Sequence, residues 1–334
     1  MDFSTVFLFG IEVELLYNNG MSYNDNLSAA RVNKNDEFYT LYEDIEKELK
    51  HYNFKDKIVY CPCDNPNISN FTKYFKDNFE KLGIKRLVST CYPQGLLEVV
   101  DKDDSKSLKL KGDGDFRSEE CGRILSNCDI VVTNPPFSLF REFIRWVGEK
   151  DFLIIGNKNS YGYNEVFEGL KEGKIFVGFT SPKNFYQPID DEVKNINGLT
   201  KTENLKKFGN IGWLSSLGLE ERSKVIPTMK YDPSIHKKYD NYDAINVDKV
   251  KEIPCDYYGK MGVPITYLEK HDDEMFEIIG LYDNHAKGKD DGILISGDLV
   301  RVAIKTGGFR NWTGAVIDGK TLYARVIIQR RTTV

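Results

Sequence analysis

Between Lys57 and Gly156 the chain changes its hydrophobic period repeatedly: short apolar runs stopped by turn residues alternate with stretches whose apolar residues recur every three or four positions. A strand that is apolar at every position must be covered on both faces, and helices between such strands supply the cover. The pattern therefore predicts an α/β fold, a mainly parallel sheet with helices on both faces. The runs at 57–63, 86–92, 129–133 and 152–156 read as strands. Between them, Phe71, Tyr74, Phe75, Phe79 and Leu82 form one helical stripe closed by Gly83, and a helix passes through Leu125. Phe140, Phe143, Ile144 and Val147 form another stripe, with Ser138 as its cap. Upstream, Thr40-Leu41-Tyr42-Glu43 fits a capping box before a helix that buries Leu41, Ile45 and Leu49. The segment 93–111 is charged and ambiguous, with 107–110 a candidate strand. A helix at 163–171 and strands at 174–179 and 211–217 complete the layer.

The flanks differ. Residues 1–33 are expected to be an extension outside the fold, polar and asparagine-rich to about residue 35, with Met21 as an alternative start. A larger domain is expected at 34–222 and a smaller region at 223–334, where Tyr-, Pro- and Gly-rich segments alternate with strands near 299–305 and 322–329. The net charge of −5 argues against a surface that grips a polyanion everywhere, yet from His285 to Val334 nine Lys and Arg face four Asp and Glu. Six cysteines without a CxxC pair and four scattered histidines make neither a zinc site nor a disulfide framework, which implies reduced thiols and a cytoplasmic protein. Acidic pairs such as Asp272-Asp273 and Asp290-Asp291 read as solvated loops. No run approaches the ~20 apolar residues of a membrane span.

The motif that carries chemistry is Asp129-Ile-Val-Val-Thr-Asn134-Pro135-Pro136-Phe137, a buried strand that ends in an amide, two prolines and an aromatic. Prolines stop a strand, which is one complete explanation. The other follows from position, because open α/β sheets bind ligands beyond the carboxyl ends of their strands. An amino group on an aromatic ring is a poor nucleophile, since its lone pair is delocalised. Two acceptors on its two hydrogens, Asn134 Oδ1 and the Pro135 carbonyl, favour the pyramidal form that attacks, while Pro136 stiffens the backbone and Phe137 stacks on the ring.

These residues resemble the class I S-adenosylmethionine-dependent DNA adenine methyltransferases, and more narrowly the EcoRI type. The resemblance also covers 35–46, Val59-Tyr-Cys-Pro-Cys-Asp-Asn-Pro66 with Ser69 to Phe71, 112–118, 238–247, 261–266, and Gly319, Lys320, Tyr323 and Arg325. It implies a Rossmann-like fold binding S-adenosyl-L-methionine in 34–222, a target-recognition region in 223–334, and transfer of a methyl group to adenine flipped out of double-stranded DNA, with no metal. It further implies that Tyr39, Thr40, Cys61 and Asp64 hold the methionine part of the cofactor, and that Asp115 and Phe116 hold its adenine. Thr40 as a simple cap, Asp64 as a turn cap and Gly112-Asp-Gly-Asp115 as a plain turn remain open alternatives. Most methyltransferases have a Gly-rich turn where this chain has Cys61 to Asn65, and Thr90-Cys91-Tyr92 lacks the acidic residue that usually holds a ribose. Trp213 resembles the strand beside the target pocket, but Ser215 and Ser216 depart from the family pattern after it and a core Trp is the preferred description.

The C-terminal charge surplus directs DNA contact to Lys320, Arg325, Arg330 and Arg331, with basic guards on a strand edge as the alternative. A restriction endonuclease acting on the same site is the implied functional partner, and no membrane is. Three other readings stand beside this one: a methyltransferase acting on RNA or on protein glutamine, a catalytically silent DNA-binding relative, and a cofactor-binding α/β protein with a different small-molecule substrate.

Overall fold

The computed structural model describes residues 5–15, 39–186, 205–218, 223–240, 242–282 and 315–332. The strand expected at 299–305, the pair Asp290-Asp291 and His285 lie outside them. The chain divides into two compact units, Met1–Asn157 with Gly178–Leu217, and Lys158–Val177 with Gly218–Val334.

In the first unit, strands β1 (Thr5–Leu8) and β2 (Ile11–Leu15) precede β3 (Tyr39–Thr40) and helix α1 (Tyr42–Leu49). Then come β4 (Ile58–Cys61), helices α2 (Asn70–Asp77) and α3 (Phe79–Leu82), and β5 (Arg86–Cys91). A hairpin of β6 (Leu96–Val100) and β7 (Ser105–Lys109) leads to α4 (Glu119–Ser126), β8 (Ile130–Thr133), α5 (Phe140–Val147) and β9 (Asp151–Asn157). Helix α6 (Asn164–Lys171) and β10 (Phe176–Val177) belong to the second unit. The first resumes with β11 (Asn184–Tyr186), β12 (Leu205–Lys207) and β13 (Ile211–Ser215).

Nine strands of this unit lie in one sheet in the order β1-β2-β7-β6-β5-β4-β8-β9-β13. The four central strands β5-β4-β8-β9 run parallel, and the flanks are antiparallel. Consecutive residues of the centre, Val59 and Tyr60, Val131 and Val132, Leu153 and Ile154, are all inaccessible to solvent, so both faces are covered as the continuous apolar runs require. Helices α2, α4 and α5 each turn an apolar stripe inward, and Ser69 and Ser118 cap α2 and α4 by accepting from Phe71 and Cys121 N–H.

Four local expectations change. Thr40 is not a cap: its backbone pairs with Phe185 of β11, and Leu41 occupies the N-cap of α1 without a side-chain bond. Ser138 is not a cap either, because a 3-10 turn, Phe137–Leu139, intervenes before α5. The ambiguous 93–111 is the antiparallel hairpin of β6 and β7, whose outer strand buries only Leu108 and so lacks a strong period. The lead is not structureless. Phe9 and Gly10, both at positive φ, turn β1 into β2, and Ile11 and Val13 are buried around exposed Glu12. Strand β2 then pairs with β7, and Arg123 donates to the Gly10 carbonyl at 2.6 Å.

In the second unit β14 (Ile245–Asn246), β15 (Lys260–Pro264), β16 (Phe276–Tyr282), the hairpin β17 (Val316–Ile317) and β18 (Lys320–Thr321), and β19 (Arg325–Arg330) follow, with a sheet ordered β14-β15-β19-β16. Met261, Val263, Phe276, Val326, Ile327 and Ile328 form its interior. All six cysteines are free, and no helix among the described residues is long and apolar enough to cross a membrane.

One buried charge organises the first unit beside its sheet. Glu48 of α1 is fully inaccessible and accepts from Tyr52 Oη (2.9 Å), Phe179 N (2.9 Å), Thr180 N (2.7 Å) and Thr180 Oγ1 (2.7 Å). These bonds hold the segment that leads into β11, and through it β3. Glu48→Gln faces an N–H₂ group toward donors, and Glu48→Ala leaves two backbone N–H groups without acceptors. A loss on the order of 2 kcal/mol for Gln and 3 kcal/mol or more for Ala is expected, read as a lower urea midpoint at unchanged slope.

Candidate active site

Strand β4 has β5 on one side and β8 on the other, all parallel, so chain direction across the sheet reverses at β4. The crevice of such a sheet opens at this reversal, beyond the carboxyl ends of the two diverging strands. Register fixes what meets there: Tyr60 pairs with Val131, which sets the loop after Cys61 beside the one after Thr133.

The first loop is Pro62 to Asn65. Cys63 adopts a left-handed φ of +64°, the conformation a glycine would otherwise supply, which is how a Cys-Pro-Cys sequence makes this turn. Asp64 N then donates to the Thr90 carbonyl at 2.9 Å, tying the loop to the end of β5. The Asp64 carboxyl, 5% exposed, accepts from the Ser69 hydroxyl at 2.5 Å through Oδ1, while Oδ2 contacts the Thr133 hydroxyl. Burial outweighs these two bonds and pushes the carboxyl up to about 7. Turn capping falls to others: Asn65 Oδ1 accepts from Asn67 N, and Ser69 caps α2.

Thr40 joins the same neighbourhood through its carbonyl, which accepts from Asn70 Nδ2 at 2.7 Å, next to Ser69. Its hydroxyl is buried without a hydrogen-bond partner among the described residues. Tyr39, beside it, pairs with Tyr186. Cys61 ends β4 with a fully buried thiol, pushed up by burial.

The loop from Gly112 to Ser118 closes over the end of β5. A Cβ on Gly114 would stand 2.3 Å from the Cys91 carbonyl oxygen, so only glycine permits this approach. Asp115 is held by Arg117 through Nε (3.0 Å) and Nη2 (2.7 Å), and that guanidinium keeps its carboxyl below the usual range. Phe116 is buried against Phe143 and Trp146, with ring centroids 5.1 Å and 5.4 Å away.

The second loop is the tetrad. Asn134 leaves β8 half-buried, Pro135 is buried, and Pro136 and Phe137 are half-buried where the chain turns into α5. Thr133, fully buried, contacts Asp64 and the Pro62 carbonyl, and so stitches the two loops together. Neither Thr133 nor Ser69 stood out in the sequence as a site residue. Their only signal is a hydroxyl at a position where strand or helix-cap chemistry already explains it. Trp213 is a fully buried residue of β13, edge-on to Phe71 at 5.9 Å, and its Nε1 has no acceptor among the described residues.

The four basic residues lie in the second unit. Arg325, its side chain only 12% exposed, donates to Asn246 Oδ1 at 3.1 Å and stands 3.6 Å from Asp248. Asn246 also accepts from Tyr239 Oη at 2.9 Å, and Tyr239 packs where a Cβ on Gly262 would fall, 2.0 Å from its oxygen. Arg330 donates to the Cys255 carbonyl at 2.6 Å and lies over Tyr258, and Arg331 donates to the Asp273 carbonyl at 2.8 Å. Lys320 is exposed beside the β17–β18 turn.

The adenine-specific methyltransferase EcoRI family matches the chain over residues 26–105 and 97–331. Type II methyltransferase M.EcoRI of Escherichia coli is 44% identical, with 77% of this chain and 89% of that protein covered. Type II methyltransferase M.MpnI of Mycoplasma pneumoniae is 36% identical, covering 92% and 98%. No solved structure gives a significant match. With the tetrad after β8 and the buried Asp64 after β4 in adjoining loops of an α/β sheet, and with a match across most of its length, the chain belongs to the EcoRI family of adenine-specific methyltransferases.

Proposed function

We propose that the protein transfers the methyl group of S-adenosyl-L-methionine to the exocyclic nitrogen of an adenine in double-stranded DNA, at a specific site and with the base turned out of the duplex. The observation that carries this reading is the junction of the two loops, which sets a buried carboxyl, with no cation among its partners in the described residues, beside the Asn134-Pro135-Pro136-Phe137 turn. The cofactor fits that half of the junction: its ammonium supplies the charge that Asp64 lacks, and the unpartnered Thr40 hydroxyl offers a further polar contact. Tyr39 and Cys61 complete the methionine side. Asp115 and Phe116 are assigned the adenine end, Asp115 with Arg117 already on three of its lone-pair sites, two through the guanidinium and one through the backbone N–H.

The bound cofactor supplies a methyl group on a sulfonium. Asn134 Oδ1 and the Pro135 carbonyl accept the two hydrogens of the adenine amino group, Pro136 keeps the turn stiff, and Phe137 stacks on the extruded ring. With the cofactor bound, its sulfonium would supply the methyl carbon, the carbon–sulfur electron pair staying with sulfur, while Asn134 and Pro135 would hold the amino nitrogen that takes the methyl group and gives up one proton to solvent. Lys320, Arg325, Arg330 and Arg331 are assigned to the DNA, with Lys320 and Arg331 exposed and the other two half-buried. A restriction endonuclease that cuts the same site is the functional counterpart, in the cytoplasm.

Labelled cofactor and duplex DNA test the reaction: label in N6-methyladenine is expected, and label only in RNA or protein rejects it. Asn134→Ala removes one of two preorganised acceptors, and a single-turnover rate lower by on the order of 10²–10³ is expected, with DNA affinity little changed.

Asp64 gives a pH prediction with a definite sign. Its folded pKa, about 7, lies above its ordinary 3.8, so the folded state holds the proton more tightly. The stability this confers is complete below pH 4 and is lost as pH rises toward 7. Asp64→Asn keeps an acceptor for Ser69 and adds a donor for Thr133, so it should flatten this dependence and raise the melting temperature at pH 8. The gain is on the order of 1–4 kcal/mol at about 1.36 kcal/mol per pKa unit. Cofactor affinity should fall in the same variant.

Lys320→Gln should make the slope of log affinity against log salt shallower by about 0.9. Arg325→Ala, which removes one of the two donors to Asn246 Oδ1 and leaves the Tyr239 and Asp248 bonds to Asn246 in place, should lower the melting temperature first.

A further inference from the structure

Thr133 ends a strand that otherwise reads Ile130-Val131-Val132, and a valine would fill its fully buried place. Its hydroxyl instead touches two acceptors, the Pro62 carbonyl and Asp64 Oδ2. A hydroxyl carries one proton and a carbonyl carries none. When Asp64 is protonated, the carboxyl donates to Thr133 and Thr133 donates to Pro62, so every group is satisfied. When Asp64 is ionised, the Thr133 proton turns to the carboxylate and the Pro62 carbonyl loses its partner. The other carboxyl oxygen stays with Ser69, whose Oγ also accepts from Phe71 N at the start of α2.

Thr133 is thus a two-position element between the loop after β4 and the residue that begins the tetrad. We propose that Thr133 is a positioning residue whose hydroxyl turns from Pro62 to Asp64 when the cationic amino group of the methyl donor settles on Asp64, so that donor binding sets the placement of Asn134. The inference rests on the function proposed above. A valine keeps the packing but leaves Asp64 and Pro62 without the shared proton, and Asn134, the next residue, loses the side-chain tie that holds its strand end to the donor loop. A serine keeps the tie.

The full-length protein tests this with two probes of donor binding by calorimetry: S-adenosylmethionine, which carries the ammonium, and methylthioadenosine, which lacks it. Thr133→Val should weaken S-adenosylmethionine about tenfold and leave methylthioadenosine unchanged, and Thr133→Ser should stay within about threefold of wild type for both. At saturating donor, the single-turnover rate of Thr133→Val should fall about tenfold with DNA affinity unchanged. In an Asp64→Asn background the further effect of Thr133→Val on donor affinity should vanish. Equal losses for both probes, a serine as poor as the valine, or additive effects in the double variant would each overturn the proposal. If Thr133→Val does not fold, Thr133→Ala is carried through the same comparison. Failure of the wild type to methylate adenine would sink the proposed reaction instead, and the calorimetric comparison would still decide the coupling.

Discussion

Strand β4 lies between β5 and β8 with all three running the same way, so the polypeptide must leave one side of β4 and return on the other. The pairing of β4 with β8 places the end of one beside the end of the other, so their two loops adjoin. One offers a carboxyl, the other an amide between a hydroxyl and two prolines. The distant parts of the unit answer to the same demand. Helix α2 begins with the Ser69 that bonds Asp64, β3 is fastened by Asn70 next to that serine, and Glu48 holds the segment that gives β3 its partner.

The junction trades stability for readiness. A carboxyl at this depth is costly to ionise, and two hydroxyl donors only partly offset the lost hydration. Glu48 shows the contrasting solution: equally buried, it is met by four donors, two of them backbone N–H groups, and serves as a structural anchor. The difference between these two acids is one of donor count, and it separates an acid that is finished from one that still wants a partner.

The central strands and helices were legible because burial on both faces leaves an unbroken apolar run, and the tetrad was legible because its residues are unusual at a strand end. The outer strands were not. In β7 only Leu108 turns inward, and the turn of the lead is Phe9-Gly10, without the Asn or Asp that normally signals one. Thr40 fits a capping pattern, yet pairing with β11 draws it into a strand, a contact between residues more than 140 positions apart that no local pattern contains. Asp64 could be picked out, but Ser69 and Thr133 could not, since a hydroxyl declares its partner only in three dimensions. In the second unit the resembling blocks around Tyr239, Asn246, Gly262 and Arg325 are one packed constellation, so resemblance there reports architecture as much as contact with a ligand.

The hairpin at the start of the chain covers the free edge of β7, a strand of serines and lysines whose backbone would otherwise face water. A polypeptide begun at Met21 would present that edge as an open template for another copy of itself. The loops after β4 and β8, three and four strands along from β7, lie away from that edge. The hairpin therefore moves the edge of the sheet out to β1, a strand of four residues, and a short edge is a poorer template for strand addition.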